Sequence, residues 1–171
     1  PKPHDPSKLR LVIDYRTITK ITERDRYPLP DVPQMFEQLA GAEVFSTFDA
    51  IWGFWQLPIV EEERERTTMV TSFGSYEWKA LPMGLTNSPS VFMRTMDRIC
   101  AELPFVKIFI DDLMVFSDSV DQHKAHLTQL FETLQRHNIK LESSKARWFH
   151  SSVKFLGHVV SSTGVRPQES K

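Results

Sequence analysis

The stretch Phe105-Val106-Lys107-Ile108-Phe109-Ile110-Asp111-Asp112-Leu113-Met114-Val115-Phe116 sets two adjacent carboxylates inside an otherwise apolar run. Each flank is aromatic and β-branched, the composition of a short strand. A two-residue link between such flanks makes a tight hairpin with Asp111 and Asp112 at its tip. A bare turn is better served by Asn-Gly or Asp-Gly, which tolerate positive φ, whereas Asp-Asp adds like-charge repulsion to a strained backbone. A divalent cation is the natural compensation, and a solvated polar turn is the plain alternative for the pair taken alone.

Outward from this hairpin, Val44-Phe45-Ser46-Thr47-Phe48 reads as a strand that delivers Asp49 at its carboxyl end, before the glycine-containing aromatic turn Trp52-Gly53-Phe54-Trp55. Glu61 to Arg66 reads as a solvated connector, leading to a hairpin of Thr67 to Phe73 and Tyr76 to Ala80 around Gly74-Ser75. Leu81 to Asn87 is a loop. Ser88 as N-cap, with Pro89 behind it, predicts a helix to about Glu102 with Phe92, Met96, Ile99 and Leu103 on its buried stripe. Ser119 and Gln122 form a capping box for a helix to about His137, with Leu127, Leu130, Phe131 and Leu134 on its apolar face. His123 and His126 lie on the same helix without further ligands converging, which reads as surface histidines. Val153 to Val160 reads as one strand, with a turn at Ser161 to Gly164 into a last short one. Near the start, Leu11 to Arg16 reads as a strand, and Asp31 with Pro33 opens a helix stopped by Gly41.

With the segment between Asp49 and Ser88 treated as an insertion, the order is strand, helix, strand, strand, helix, strand. This is the split βαβ arrangement, an antiparallel sheet with two helices on one face. In it, the first strand and the central hairpin are neighbours, so Asp49 can approach Asp111 and Asp112. Unit charges about 4 Å apart repel by around 4 kcal/mol at an effective dielectric of 20, so the cluster must hold protons or cations. Two Mg²⁺ ions suit hard oxygen ligands and support in-line phosphoryl displacement. Acid and base catalysis on a sugar fits less well, because nothing in the sequence isolates one carboxyl in an apolar pocket.

Bulk properties bound the rest. In 171 residues, 40% hydrophobic and 25% charged, the chain can bury a sizeable core. Lys plus Arg number 21 against 22 Asp plus Glu, so nucleic-acid binding must come from local patches. Cys100 stands alone and reads as core, in keeping with a reducing compartment. No apolar run reaches the roughly 18 residues of a membrane span, and no signal peptide is legible, so the expectation is a soluble, intracellular protein without a membrane partner. The opening at Pro1 without a methionine suggests a piece of something longer.

Six segments together carry a resemblance. They are Val12 to Arg16, Arg26-Tyr27-Pro28-Leu29-Pro30, Phe45 to Asp49 with Gly53-Phe54-Trp55-Gln56, Leu81 to Pro89, Phe109-Ile110-Asp111-Asp112, and Phe155-Leu156-Gly157-His158. In this order they resemble the reverse transcriptases of gypsy-type LTR retrotransposons, with retroviral enzymes as more distant relatives. The resemblance implies an α+β fold: a polymerase palm built on the split βαβ sheet and its two helices (25–56 and 88–171), with a partial fingers subdomain (1–24 and 57–87). It stops before the thumb and RNase H regions.

It also implies roles. Asp49 and Asp111 would be the metal-binding carboxylates, with Asp112 in the supporting position. Mg²⁺ is the implied cofactor, with Mn²⁺ as its substitute. Phe54 would lie under the incoming sugar and exclude a 2′-hydroxyl, Arg10 and Lys2 would contact the triphosphate, and Met83 and Gly84 would pack on nucleotide and template. Lys145 would protonate the departing pyrophosphate, and Phe155, Leu156, Gly157 and His158 would form the primer grip. Implied partners are an RNA or DNA template with primer, dNTPs, and the remaining polyprotein domains: thumb, RNase H, protease and integrase. Implied location is a cytoplasmic particle. Three departures stand out: Phe109 where Tyr is common, Ala50-Ile51-Trp52 after Asp49, and Met83 where retroviral relatives carry glutamine. The competing readings are an inactive or host-adopted fragment acting as a binding module, and a palm polymerase making RNA, against which Phe54 argues.

Overall fold

The computed structural model describes residues 13–168. In chain order they form α1 (Arg16–Ile21), α2 (Val32–Glu37), β1 (Val44–Asp49), α3 (Glu61–Arg64), β2 (Met69–Thr71), β3 (Gly74–Tyr76), α4 (Ser88–Ile99), β4 (Val106–Phe109), β5 (Asp112–Ser117), α5 (Val120–Arg136), β6 (Arg147–His150), β7 (Ser152–Phe155), β8 (His158–Ser161) and β9 (Gly164–Pro167). Short 3-10 turns at Gly53–Gln56, Glu65–Thr67 and Ser143–Lys145 connect them.

The main sheet runs β4-β5-β1-β6, antiparallel at every step. This is the split βαβ order, with α4 leading from β1's side to β4 and α5 from β5 to β6. Alternation on β1 and β5 sends Phe48, Leu113 and Val115 toward the helices, where they pack with Phe92, Met96 and Leu130. Phe45 and Met114 face the other way, against Met35, Leu39, Val153 and Val160. The central strands are therefore covered on both faces, which is why their sequences are nearly continuous apolar runs.

Several sequence expectations are corrected. The strand expected from Leu11 to Arg16 does not form within the described residues: Ile13 to Tyr15 join no sheet and helix α1 begins at Arg16, while Leu11 and Val12 lie outside the described residues. Asp14 accepts from the Arg16 backbone N–H at 3.0 Å and from its guanidinium, a local bond that turns the chain before a strand can extend. The β2–β3 turn is Ser72-Phe73, not Gly74-Ser75: the Thr71 hydroxyl accepts from the Phe73 N–H at 3.1 Å and donates to the Gly74 carbonyl at 3.0 Å. Helix α4 has Asn87 at its N-cap position and ends at Ile99; Ser88 is its first residue, with its buried hydroxyl donating to the Pro82 carbonyl at 2.8 Å.

The central hairpin turns at Ile110-Asp111, because Phe109 pairs with Asp112 and Asp112 is already the first residue of β5. Ile110 takes φ +54°, a strained conformation for a β-branched residue. Its N–H donates to Met93 Sδ at 2.9 Å, and its side chain packs on the helix-side core.

The last strand of the main sheet is β6, which no apolar alternation announced, since all four of its residues are exposed. Val153 to Val160 is instead a hairpin, β7 and β8, in a separate sheet with β9. Leu156 and Gly157 both take positive φ, +47° and +74°, as a tight two-residue hairpin turn demands. His123 is fully buried rather than on the surface. It continues the inward stripe of α5 one turn before Leu127, and its Nε2 and Nδ1 meet the hydroxyls of Ser46 and Ser117 at 2.7 and 2.8 Å. The Ser119 cap is as expected, accepting from the Gln122 N–H at 3.3 Å, and Cys100 is buried. No helix among the described residues is long and apolar enough to cross a membrane.

Candidate active site

Asp49 ends β1 and stands directly across from Asp112, the first residue of β5. Opposed residues on neighbouring strands share a face, here the one turned away from α4 and α5. The ladder continues one step further, with the Ala50 N–H donating to the Asp111 carbonyl at 2.8 Å, so the turn residue is held at the same edge. Asp111 turns toward Gly53: a Cβ built there would collide with its Oδ1 and lie 2.8 Å from its Cγ. Glycine at 53 is therefore the space that the Asp111 carboxylate occupies. In sequence Gly53 was legible only as part of an aromatic turn, although a glycine just past a strand end is a signal of close approach.

Lys145 closes the group, its Nζ 2.6 Å from Asp49 Oδ2. Asp49 raises the Lys145 pKa, keeping the ammonium charged. The Asp112 pKa is raised chiefly by burial, then by the charges of Asp49 and Asp111, with Lys145 opposing. These shifts describe a crowded anionic cluster that one cation partly offsets.

A strap from residue 140 to 142 brings Lys145 here. The Ile51 N–H donates to the Lys140 carbonyl at 3.0 Å, Ala50 bridges to Leu141, and the Glu142 N–H donates to the Asp49 carbonyl at 2.8 Å. The Glu142 carboxylate then accepts from the Ser144 N–H and hydroxyl at 3.2 and 2.7 Å, shaping the Ser143–Lys145 turn. Gln56, for which no role was legible in the sequence, bonds both the strap and Ile51.

The other expected residues divide. Phe54 is half-buried in the turn after Asp49, edge-on to Phe92 with ring centroids 5.5 Å apart. Met83 is half-buried, and the exposed Gly84, at φ +98°, approaches the Ile13 to Tyr15 segment. Phe155 and His158 pair in the β7–β8–β9 sheet with Leu156 and Gly157 as the turn between them, His158 packed 4.9 Å from the Phe36 ring and Phe155 buried. Lys2 and Arg10 lie outside the described residues.

Among the described residues no group of three His, Cys, Asp or Glu side chains is arranged to hold a metal ion as it stands. The donor set nevertheless suits a hard divalent cation: three neighbouring carboxylates and no nitrogen or sulfur ligand among them.

The family model described as reverse transcriptase (RNA-dependent DNA polymerase) matches residues 1–160. The chain is 35% identical to the retrovirus-related Pol polyprotein from transposon 297 of Drosophila melanogaster, over 100% of its own length and 17% of that protein's. It is 34% identical to the Pol polyprotein from Drosophila transposon gypsy, covering 98% of this chain and 16% of that one. It is 33% identical to the enzymatic polyprotein of cauliflower mosaic virus, covering 94% and 24%. The chain thus spans about a sixth to a quarter of these curated relatives. Among solved structures, a foamy viral protease-reverse transcriptase in complex with double-stranded DNA superposes with a TM-score of 0.89 at 26% identity, over 98% of this chain and 29% of that one. A second, in complex with an RNA/DNA hybrid, gives 0.84 at 25% identity, over 91% and 21%.

Proposed function

Since this chain belongs to the reverse transcriptase family, we propose that it forms the palm and part of the fingers of an RNA-directed DNA polymerase. The observation that carries this reading is the pairing of Asp49 with Asp112 across β1 and β5, with Asp111 seated against Gly53 at the same edge. Residues 25–56 and 88–171 make the palm in this reading, and 1–24 and 57–87 the partial fingers.

Asp49 and Asp111 would hold the divalent ions, Mg²⁺ or Mn²⁺, with Asp112 supporting. When bound, the ions lower the barrier to phosphoryl displacement by offsetting charge on the attacking and leaving oxygens. The primer 3′-oxygen forms a bond to the α-phosphorus of a dNTP as the bond to the bridging oxygen of pyrophosphate breaks. The hydroxyl proton passes to solvent. Lys145, charged and hydrogen-bonded at Asp49, gives its proton to the leaving pyrophosphate and regains one from water. Phe54, held by Phe92, presents its ring to the sugar and leaves no room for a 2′-hydroxyl. Arg10 and Lys2 grip the triphosphate, and Met83 with Gly84 packs on nucleotide and template. The β7–β8 turn with Phe155, Leu156, Gly157 and His158 positions the primer end. Template and primer backbones, dNTPs and the further polyprotein domains are the partners, within a cytoplasmic particle.

Mg²⁺-dependent primer extension on an RNA template, with dNTPs or rNTPs, tests the reading in the full-length protein that carries this sequence. Extension with dNTPs that vanishes in Asp111→Asn supports it. No extension by a folded protein that binds template and primer refutes it.

A further inference from the structure

Gln56 joins the two segments that meet at Asp49. Its Nε2 donates to the Ile51 carbonyl at 2.6 Å and to the Lys140 carbonyl at 3.0 Å, while its Oε1 accepts from the Lys140 N–H at 2.6 Å. One side-chain amide therefore engages both backbone groups of Lys140, the two-point contact that a paired strand otherwise supplies. The strap from 140 to 142 is also held by the backbone bonds of Ile51 to Lys140 and of Glu142 to Asp49, at 3.0 and 2.8 Å. Three residues beyond it, Lys145 reaches Asp49 Oδ2 at 2.6 Å. Lys145 is itself 65% exposed, so little packing of its own side chain fixes where its ammonium stands. Its position is inherited from the strap, and Gln56 grips the strap where it first meets the turn after Asp49.

Resting on the reading of Lys145 as the proton donor to pyrophosphate, we propose that Gln56 is a positioning residue for Lys145. The side chain holds Lys140 in register with Ile51, so that the turn at Ser143–Lys145 directs the ammonium at Asp49 and at the leaving group beside it. Gln56 touches neither substrate nor ion. Unlike the backbone bonds of the strap, its contacts can be removed by one substitution.

The alternative is an ordinary turn-stabilising glutamine, whose loss would weaken folding or template binding to the same degree with or without Lys145. A double-mutant cycle separates the two. The full-length protein is prepared as wild type, Gln56→Leu, Lys145→Met and the double variant, with Gln56→Glu as the conservative replacement that keeps the acceptor for the Lys140 N–H. Single-turnover extension rate, KM for dNTP and template-primer affinity are measured for each. The expected result for Gln56→Leu is a rate about tenfold lower, in the range a small misplacement of a reacting group produces, with KM and template-primer affinity within about twofold of wild type. Gln56→Glu, which keeps the acceptor for the Lys140 N–H but has no proton for the Ile51 and Lys140 carbonyls, lowers the rate as well, again with KM and template-primer affinity near wild type. In the Lys145→Met background, Gln56→Leu costs less than about twofold more, because the group it positions is gone. A full further tenfold loss in that background overturns the proposal. If Gln56→Leu does not fold, the cycle is run with Gln56→Glu and judged by the same non-additivity. An undiminished rate in Lys145→Met would instead remove the reading beneath the proposal, and the proposal with it.

Discussion

Lys145 Nζ lies 2.6 Å from Asp49 Oδ2 although 96 residues separate them in the chain. The strap bonded to the end of β1 makes this contact local in space, and it sets the only ammonium described at the carboxylate cluster against the first of its members. In the proposed reaction Lys145→Met should lower the single-turnover rate by about 10²-fold, the lower end of what a positioned proton donor contributes. Template-primer affinity should stay near wild type. A rate within about twofold of wild type would exclude proton donation by this side chain.

Gly53→Ala tests the seat of Asp111. The added Cβ meets the carboxylate itself, so either Asp111 rotates away or the 3-10 turn Gly53–Gln56 shifts. A stability loss of about 1–3 kcal/mol is expected from this overpacking, with primer extension falling at least tenfold beyond what unfolding explains. Urea unfolding and extension rates measured on the same preparation check it; unimpaired extension would show that Asp111 need not sit against residue 53.

His123 predicts an acid sensitivity that lies away from the chemistry. Burial, and secondarily His126, lowers its pKa from 6.5 to about 4, so the folded protein holds the ring neutral between Ser46 and Ser117. The unfolded chain binds this proton already below pH 6.5, hence the contribution is full above that pH and declines as pH falls toward 4. At 1.36 kcal/mol per unit, the loss approaches about 3 kcal/mol by pH 4. Chemical denaturation at pH 7 and pH 4 should show this difference, and His123→Leu, though less stable at pH 7, should lose that part of the pH dependence.

Phe54→Val tests the sugar contact. The half-buried ring, held edge-on by Phe92, is the bulk that the proposed reading sets under the sugar. Its truncation should lower discrimination against rNTPs by about 10–200-fold, the range expected when a small steric contact is removed. Competing extension with dATP and ATP reads the ratio directly; an unchanged ratio would show that Phe54 serves the core alone.

Much of this arrangement could be read from the chain. The apolar runs of Val44 to Phe48 and Leu113 to Phe116 are buried on both faces, and a buried central strand leaves that mark in any sequence. The Ser119 cap and the stripe of Leu127, Leu130 and Leu134 mark α5 in the same way. From these elements and their order came the split βαβ sheet, and from the sheet the convergence of Asp49 with the central hairpin.

What only the tertiary structure decided are the places where a residue answers to a distant partner rather than to its neighbours in sequence. No residue of strand β6 is buried, although Trp148 and Phe149 lay their rings against Phe48 and His123, and so it has no alternation to read; it forms because β1 offers a free edge, with the Phe149 N–H bonding Ser46 Oγ at 3.1 Å where the ladder is irregular. Ile110 and Leu156 occupy positive-φ turn positions that their side chains disfavour, because strand pairing on either side fixes the register and leaves the turn to comply. His123 resembles a surface residue until Ser46 and Ser117, one on each central strand, close on its two nitrogens. Gly53 and Gln56 carry no pattern of their own either. Periodicity records which side of an element meets the core, whereas a carboxylate's seat or an amide's grip on a strap depends on segments that only folding brings within hydrogen-bonding distance.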